Sequence, residues 1–182
     1  MHMGWKIKKD TMKRLYAPWR HDYVTNSSKP ERQHDASAED CVFCQQVMAN
    51  EDDHYLIIKR YQHCFVMMNS YPYNVGHIMI LPYEHKPSLN ELSPVIRAEM
   101  IEVLSLSEGI LKKVLKTEGF NIGINLGVAG GGGIPSHLHI HVLPRWRGDT
   151  NFLETLGGIK LLTTDIDTTY QDLKEGFAPM SL

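Results

Sequence analysis

The run His137-Leu138-His139-Ile140-His141-Val142 constrains this chain more than any other segment, because three imidazoles alternate with three aliphatic side chains. Successive side chains of an extended strand point to opposite faces, so the histidines share one face while Leu138, Ile140 and Val142 enter a core. Such a strand requires a sheet that is covered behind and open to a ligand in front. Directly upstream, four consecutive glycines, Gly130 to Gly133, lead into Ile134-Pro135-Ser136. Glycines expose backbone N–H groups and allow close approach, which suits phosphate oxygens. Imidazole has a reference pKa of ~6.5 and, when neutral, can attack phosphorus without first losing a proton. Loop and row together describe a phosphate cradle beside a nucleophile.

The flanking sequence supplies the rest of a sheet. YLIIKR, CFVMMNS and HIMILP read as strands, and SYPYNVGH between the last two carries turn chemistry, so they are expected to be antiparallel neighbours. Met67 and Met68 read as core filling. Ser93-Pro94 predicts a helix start, and Val95, Ile96, Met100, Val103, Leu104, Ile110, Leu111, Val114 and Leu115 recur at helical spacing up to a cap at Gly119, giving a helix over 94–118. In FNIGINLG, Phe120, Ile122, Ile124 and Leu126 face a core, while Asn121, Gly123, Asn125 and Gly127 face a ligand. The expected class is α+β, an antiparallel sheet of about five strands with one long helix packed on it. Residues 1–40 read as an arm and polar linker, 41–150 as the domain, and 151–182 as a weakly patterned tail packing on it. Met12 offers a second start.

Composition bounds the function. With 19 Lys+Arg against 21 Asp+Glu in 182 residues, the net charge is −2, which argues against a nucleic-acid binder built on a basic face. No run reaches the ~18 apolar residues of a membrane span, and the N-terminus lacks a secretory apolar segment, so neither nucleic acid nor membrane is an expected partner and the cytoplasm is the expected compartment. Three cysteines are too few for a disulfide scaffold. Cys41-x-x-Cys44 suits metal or redox chemistry or simple burial. Cys64, in an apolar run, reads as core. Phe43, Ile57 and Phe65 are candidates for an apolar base pocket or for core, and Arg145, Trp146 and Arg147 for a charged turn around a packed ring.

HLHIHVLP, with MNSYPYNVGHIMILP upstream, resembles the signature of the histidine triad (HIT) family over about Cys41 to Asp149. RLYAPWR, GFNIGINLG and HLHIHVLPRWRGDTNF further resemble its diadenosine tetraphosphate phosphorylase-like branch, the first of them through the arm residues Tyr16, Pro18, Trp19 and Arg20. The resemblance implies a HIT-like fold whose sheet continues across a homodimer, and an enzyme acting on the α-phosphate of a nucleotide or dinucleoside polyphosphate. His139 is then the nucleophile that forms a nucleotidyl-histidine, His141 contacts the phosphates, and His77 lies beneath the site. Asn69 is the ribose contact, and Asn125, Gly131, Gly132, Gly133 and Ile134 are phosphate contacts. Gly133 stands where many hydrolase members carry Gln, which leaves the phosphates to backbone donors. The branch implies phosphorolysis of diadenosine tetraphosphate to ADP and ATP. The alternatives are a HIT hydrolase releasing AMP from dinucleoside polyphosphates or phosphoramidates, and a non-catalytic nucleotide-binding module. Some family members bind zinc through positions matched here by Cys41, Cys44, His85 and His137, a closed structural set. A divalent cation could accompany the substrate, though no carboxylate cluster requires one. A catalytic metal held by all three histidines is disfavoured, since positions i, i+2 and i+4 of a strand span ~13 Å.

Overall fold

The computed structural model describes residues 37–157 and 161–182; the arm resemblance at Tyr16 to Arg20 lies outside the described residues. Helix α1 (Val42–Ala49) precedes strands β1 (Ile57–Arg60), β2 (Cys64–Met68) and β3 (Ile78–Pro82). Then follow α2 (Pro94–Leu115), β4 (Gly119–Ile124), β5 (Ile140–Arg145), α3 (Phe152–Gly157) and α4 (Ile166–Phe177). The five strands form one antiparallel sheet in the order β1-β2-β3-β5-β4. No helix among the described residues is long and apolar enough to cross a membrane.

Every residue of β2 and β3 is buried because alternate side chains feed two cores, one on each face. Val66, Met68, Ile78, Ile80, Ile140 and Val142 pack beneath Ile96, Met100, Val103 and Leu111 of α2 and Tyr170, Leu173 and Phe177 of α4. Cys64 is buried in the same core, as expected. On the opposite face Phe65, Met67, Met79 and Leu81 meet Cys41, Phe43 and Cys44 around α1. The methionine pair therefore splits, Met68 to the helical core and Met67 to the other face.

Ser93 caps α2 by accepting from the Ile96 amide at 3.3 Å, with Pro94 at the first helical position. The far end differs from the sequence reading. Lys116 takes the left-handed conformation (φ 53°) and ends the helix three residues early, leaving Gly119 to open β4. Val95 is exposed because it lies on the outer face of the first turn. In β4, Phe120 and Ile124 reach the core, whereas Ile122 remains exposed because β4 is an edge strand, as does Leu126 just past its end. The segment after Trp146 is more ordered than its pattern suggested. Asp165 caps α4 by accepting from the Thr168 amide at 2.8 Å. Tyr170 donates from its hydroxyl to Asp53 and to the Ile57 carbonyl, tying α4 to β1.

Candidate active site

The histidine row lies where β5 enters the sheet. The Leu138 amide donates to the Lys86 carbonyl at 2.7 Å, which keeps the chain extended before β5 begins. The pairing of Ile78 with Val142 and Met79 with His141 then brings His77, at the foot of β3, against His141. Their facing nitrogens, Nε2 of His77 and Nδ1 of His141, are 3.0 Å apart.

The hydrogen bonds assign the protons. The Tyr73 amide can only donate, and it points at His77 Nδ1 from 3.2 Å, with Asn69 Nδ2 at 3.4 Å beside it. His77 therefore carries its proton on Nε2 and donates it to His141 Nδ1, which leaves the His141 proton on Nε2. That nitrogen is buried and has no hydrogen-bond partner. His139 presents Nδ1 to the His137 carbonyl at 2.8 Å; a carbonyl only accepts, so Nδ1 is protonated and Nε2 keeps its lone pair. The His139 and His141 rings stand edge to face with centroids 4.7 Å apart. A nucleophilic lone pair and an unspent N–H donor are thus neighbours. Burial, opposed by the His137 carbonyl, lowers the His139 pKa. Burial first, and His139 second, bring His141 down to about 4. His77 falls to about 3 through burial and the two neighbouring histidines. All three are neutral near pH 7, the state in which imidazole is a nucleophile.

In front of these rings lies a cavity of about 250 Å³. Of the expected ligand contacts, His139, His141, Asn69, Asn125, Gly133 and Ile134 line it. Gly131 and Gly132 do not; Gly131 holds a left-handed turn (φ +84°), and Gly132 packs against Asn125. His77 stands behind His141. Phe43 lines the cavity, its ring centroid 5.4 Å from that of His139, while Ile57 and Phe65 are fully buried beneath it. Val42, Gln46, Met67, Ser70, Tyr71, Tyr73 and Met79 complete the cavity wall without having been expected there. Met67 and Met79 were legible as the strand positions facing the histidine side. Asn69 accepts the Tyr71 amide at 2.9 Å, closing the turn that carries both tyrosines to the rim.

A second cluster adjoins the first. Cys41, Cys44, His85 and His137 each offer one donor atom, all within 4.8 Å of one another. His137 Nδ1 is 3.4 Å from Cys41 Sγ and 3.5 Å from Cys44 Sγ, and His85 Nδ1 is 3.5 Å from Cys44 Sγ. Bond lengths of ~2.3 Å to sulfur and ~2.0 Å to nitrogen put S···N edges of a tetrahedral zinc site at ~3.5 Å. The donor set fits a metal. The Pro82 carbonyl accepts from His137 Nε2 at 2.9 Å, which turns the lone pair of Nδ1 toward the thiols. His137 is thereby separated from His139 and His141, so no single ion joins the three.

Past β5, Trp146 donates from Nε1 to the Lys116 carbonyl and Arg147 pairs with Glu118, neither reaching the cavity. Arg145 makes a two-pronged contact to Asp149, whose Oδ2 also accepts from buried Asn74 at 2.8 Å. These bonds fasten the loop bearing Tyr73 and His77 to the end of β5.

This fold is shared with known proteins. A histidine triad protein of Mycobacterium smegmatis, whose crystal structure is zinc-bound, matches 79% of this chain and 96% of its own, with a TM-score of 0.65 and 25% identity. An AP-4-A phosphorylase of Mycobacterium tuberculosis is 34% identical over 155 residues, 85% of this chain and 79% of its own length. An asymmetrical bis(5'-nucleosyl)-tetraphosphatase of Schizosaccharomyces pombe is 30% identical over 82 residues, 45% of this chain and 44% of its own. The HIT domain model matches residues 49–148, which hold the whole sheet and all three histidines of the row. With the family pattern and this geometry both present, the chain belongs to the HIT family.

Proposed function

We propose that the chain is a nucleotidyl transferase acting on dinucleoside polyphosphates, and specifically that it phosphorolyses diadenosine tetraphosphate. The observation that carries the reading is the protonation pattern: a His139 Nε2 lone pair beside a His141 Nε2–H at a cavity sized for one nucleotide. His139 attacks the α-phosphorus of one adenosine, the bond to the bridging oxygen breaks, and ATP leaves with that electron pair. His141 donates a hydrogen bond to the phosphate oxygens as charge shifts onto them. Inorganic phosphate then attacks the adenylyl-histidine, releasing ADP and restoring the lone pair. Asn69 holds the ribose, and Asn125 with Gly133 and Ile134 holds the phosphates, Gly131 and Gly132 shaping the turn that presents them. Among the described residues, the side chains lining the cavity that can meet the phosphates are neutral hydrogen-bonding groups, and a divalent cation would arrive with the substrate. The name of the mycobacterial relative supports phosphate over water as second nucleophile.

Cys41, Cys44, His85 and His137 would hold a structural zinc, whose chemistry is to bridge α1 to the strand carrying the nucleophile. Among the described residues no cysteine forms a disulfide, which suits a cytoplasmic protein. The working form is a homodimer. Incubation with diadenosine tetraphosphate, with and without phosphate, tests the reaction. ADP and ATP should form only with phosphate and vanish in His139→Ala. AMP and ATP without phosphate would instead make the chain a hydrolase, and no turnover in either case would leave a binding module.

A further inference from the structure

The cavity is not uniformly polar. Its phosphate end carries His139, His141, Asn125 and Gly133, and its rim carries Asn69, Ser70, Tyr71 and Tyr73. The α1 wall has a different character. Val42, Phe43 and Gln46 stand at helical spacings of three and four and so share one face of α1, which is turned to the cavity. Two are apolar. The third is a primary amide whose Oε1 is enclosed and has no hydrogen-bond partner.

An enclosed amide oxygen without a donor is costly, and such groups persist where a ligand supplies the missing partner. The terminal torsion of a glutamine side chain is broad, so the amide can turn toward an occupant at small cost. Among the described residues, the other polar side chains of the cavity wall are His139, His141 and Asn125 at the phosphate end and Asn69, Ser70, Tyr71 and Tyr73 on the rim. Gln46 is thus the polar group available to the part of a nucleotide that the apolar wall accommodates, its base.

We infer that Gln46 reads the base, accepting from the exocyclic amino group of a 6-aminopurine through Oε1 and donating through Nε2 to the adjacent ring nitrogen. A carboxamide offers one acceptor and one donor side by side, and adenine offers the complementary pair. Phe43 and Val42 supply the apolar surface against which the ring lies. A site built to hydrogen-bond a group discriminates against an analogue lacking it far more sharply than an apolar wall can. This inference rests on the proposed nucleotide function and gives it an adenine preference.

The test is a cycle of two ligands and two proteins. AMP and purine riboside 5'-monophosphate, which has hydrogen in place of the 6-amino group, are titrated calorimetrically into the full-length metal-loaded protein and into Gln46→Leu. The wild-type chain should bind AMP at least fivefold more tightly than the analogue, and Gln46→Leu should bind the two within about twofold of each other. Equal binding of both by the wild-type chain overturns the inference, as does discrimination that survives in Gln46→Leu. Equal binding by the wild-type chain overturns the inference whether or not Gln46→Leu folds, and the near-isosteric Gln46→Met replaces it in the cycle if it does not. Failure of the wild-type chain to bind AMP at all would sink the nucleotide reading as well, whereas AMP binding without discrimination sinks only the role of Gln46.

Discussion

His77 shows how one buried side chain sets the protonation of another. It touches no cavity, yet its Nε2–H fixes the His141 tautomer that directs an N–H forward. His77→Ala should therefore lower kcat about 10- to 100-fold with little change in KM, and His77→Gln, which retains a donor, should recover part of the loss. Steady-state kinetics on the two variants check this; equal losses in both would mean that His77 only fills space. Burial also makes His77 and His141 sensors of stability. Their folded pKa values, about 3 and about 4, lie below the 6.5 reference value, so the unfolded chain takes up protons first as pH falls. Their contribution is complete above about pH 6.5 and is lost as pH drops toward 4, at up to ~1 kcal/mol per pH unit for each. Urea unfolding between pH 7 and 5 should show a shallower decline for His77→Gln than for the wild-type chain.

At the scale of elements, the sheet and its helix were legible because they repeat locally: alternation gave β5, and Ser93-Pro94 with three-to-four spacing gave α2. What escaped depended on distant partners. Alternation placed Ile122 in a core, but only the strand order shows that β4 is an edge. α4 was within reach, since Asp165 caps a run in which Ile166, Tyr170, Leu173 and Phe177 recur at helical spacing, but the charged residues between them masked it. α1 is eight residues long and has no side-chain cap bond, too short to be stable from its own hydrogen bonds. Cys41 at its N-cap and Cys44 in its first turn tie α1 to the candidate metal site. Removing metal with a chelator should free α1 and, at even ~2 kcal/mol of lost stability, lower Tm by roughly 4–8 °C. AMP affinity should fall with it, because Val42, Phe43 and Gln46 form the cavity wall. A metal-free chain that melts and binds AMP unchanged would break the link between cluster and pocket. The Asp149 latch acts on the loop opposite. Asp149→Ala leaves Asn74 and Arg145 without their shared acceptor and should cost ~2 kcal/mol, measurable as a lowered denaturant midpoint.

At the scale of the whole molecule, the described residues leave one apolar face exposed. Ile122 pairs across the sheet with fully buried Val142 and points to the same side as Phe120 and Ile124, yet it is 43% exposed. Leu126 beyond it is 47% exposed, and Ile101 on α2 is 55% exposed. Among the described residues β4 pairs with β5 alone, so one row of its backbone N–H and C=O groups faces no described strand. Bare edges invite pairing, and a two-fold partner presenting the same strand can continue the sheet while covering these side chains. The opposite edge is different, because α4 packs on β1 and Lys59 donates to the Ala178 carbonyl. Dimerisation through β4 therefore predicts a solution mass near 2 × 20.8 = 41.6 kDa by sedimentation equilibrium. Ile122→Glu should shift that mass to one chain, since two like charges would face each other near the two-fold axis. A wild-type mass of a single chain would refute the continuous sheet, and a dimer that persists in Ile122→Glu would place the interface elsewhere.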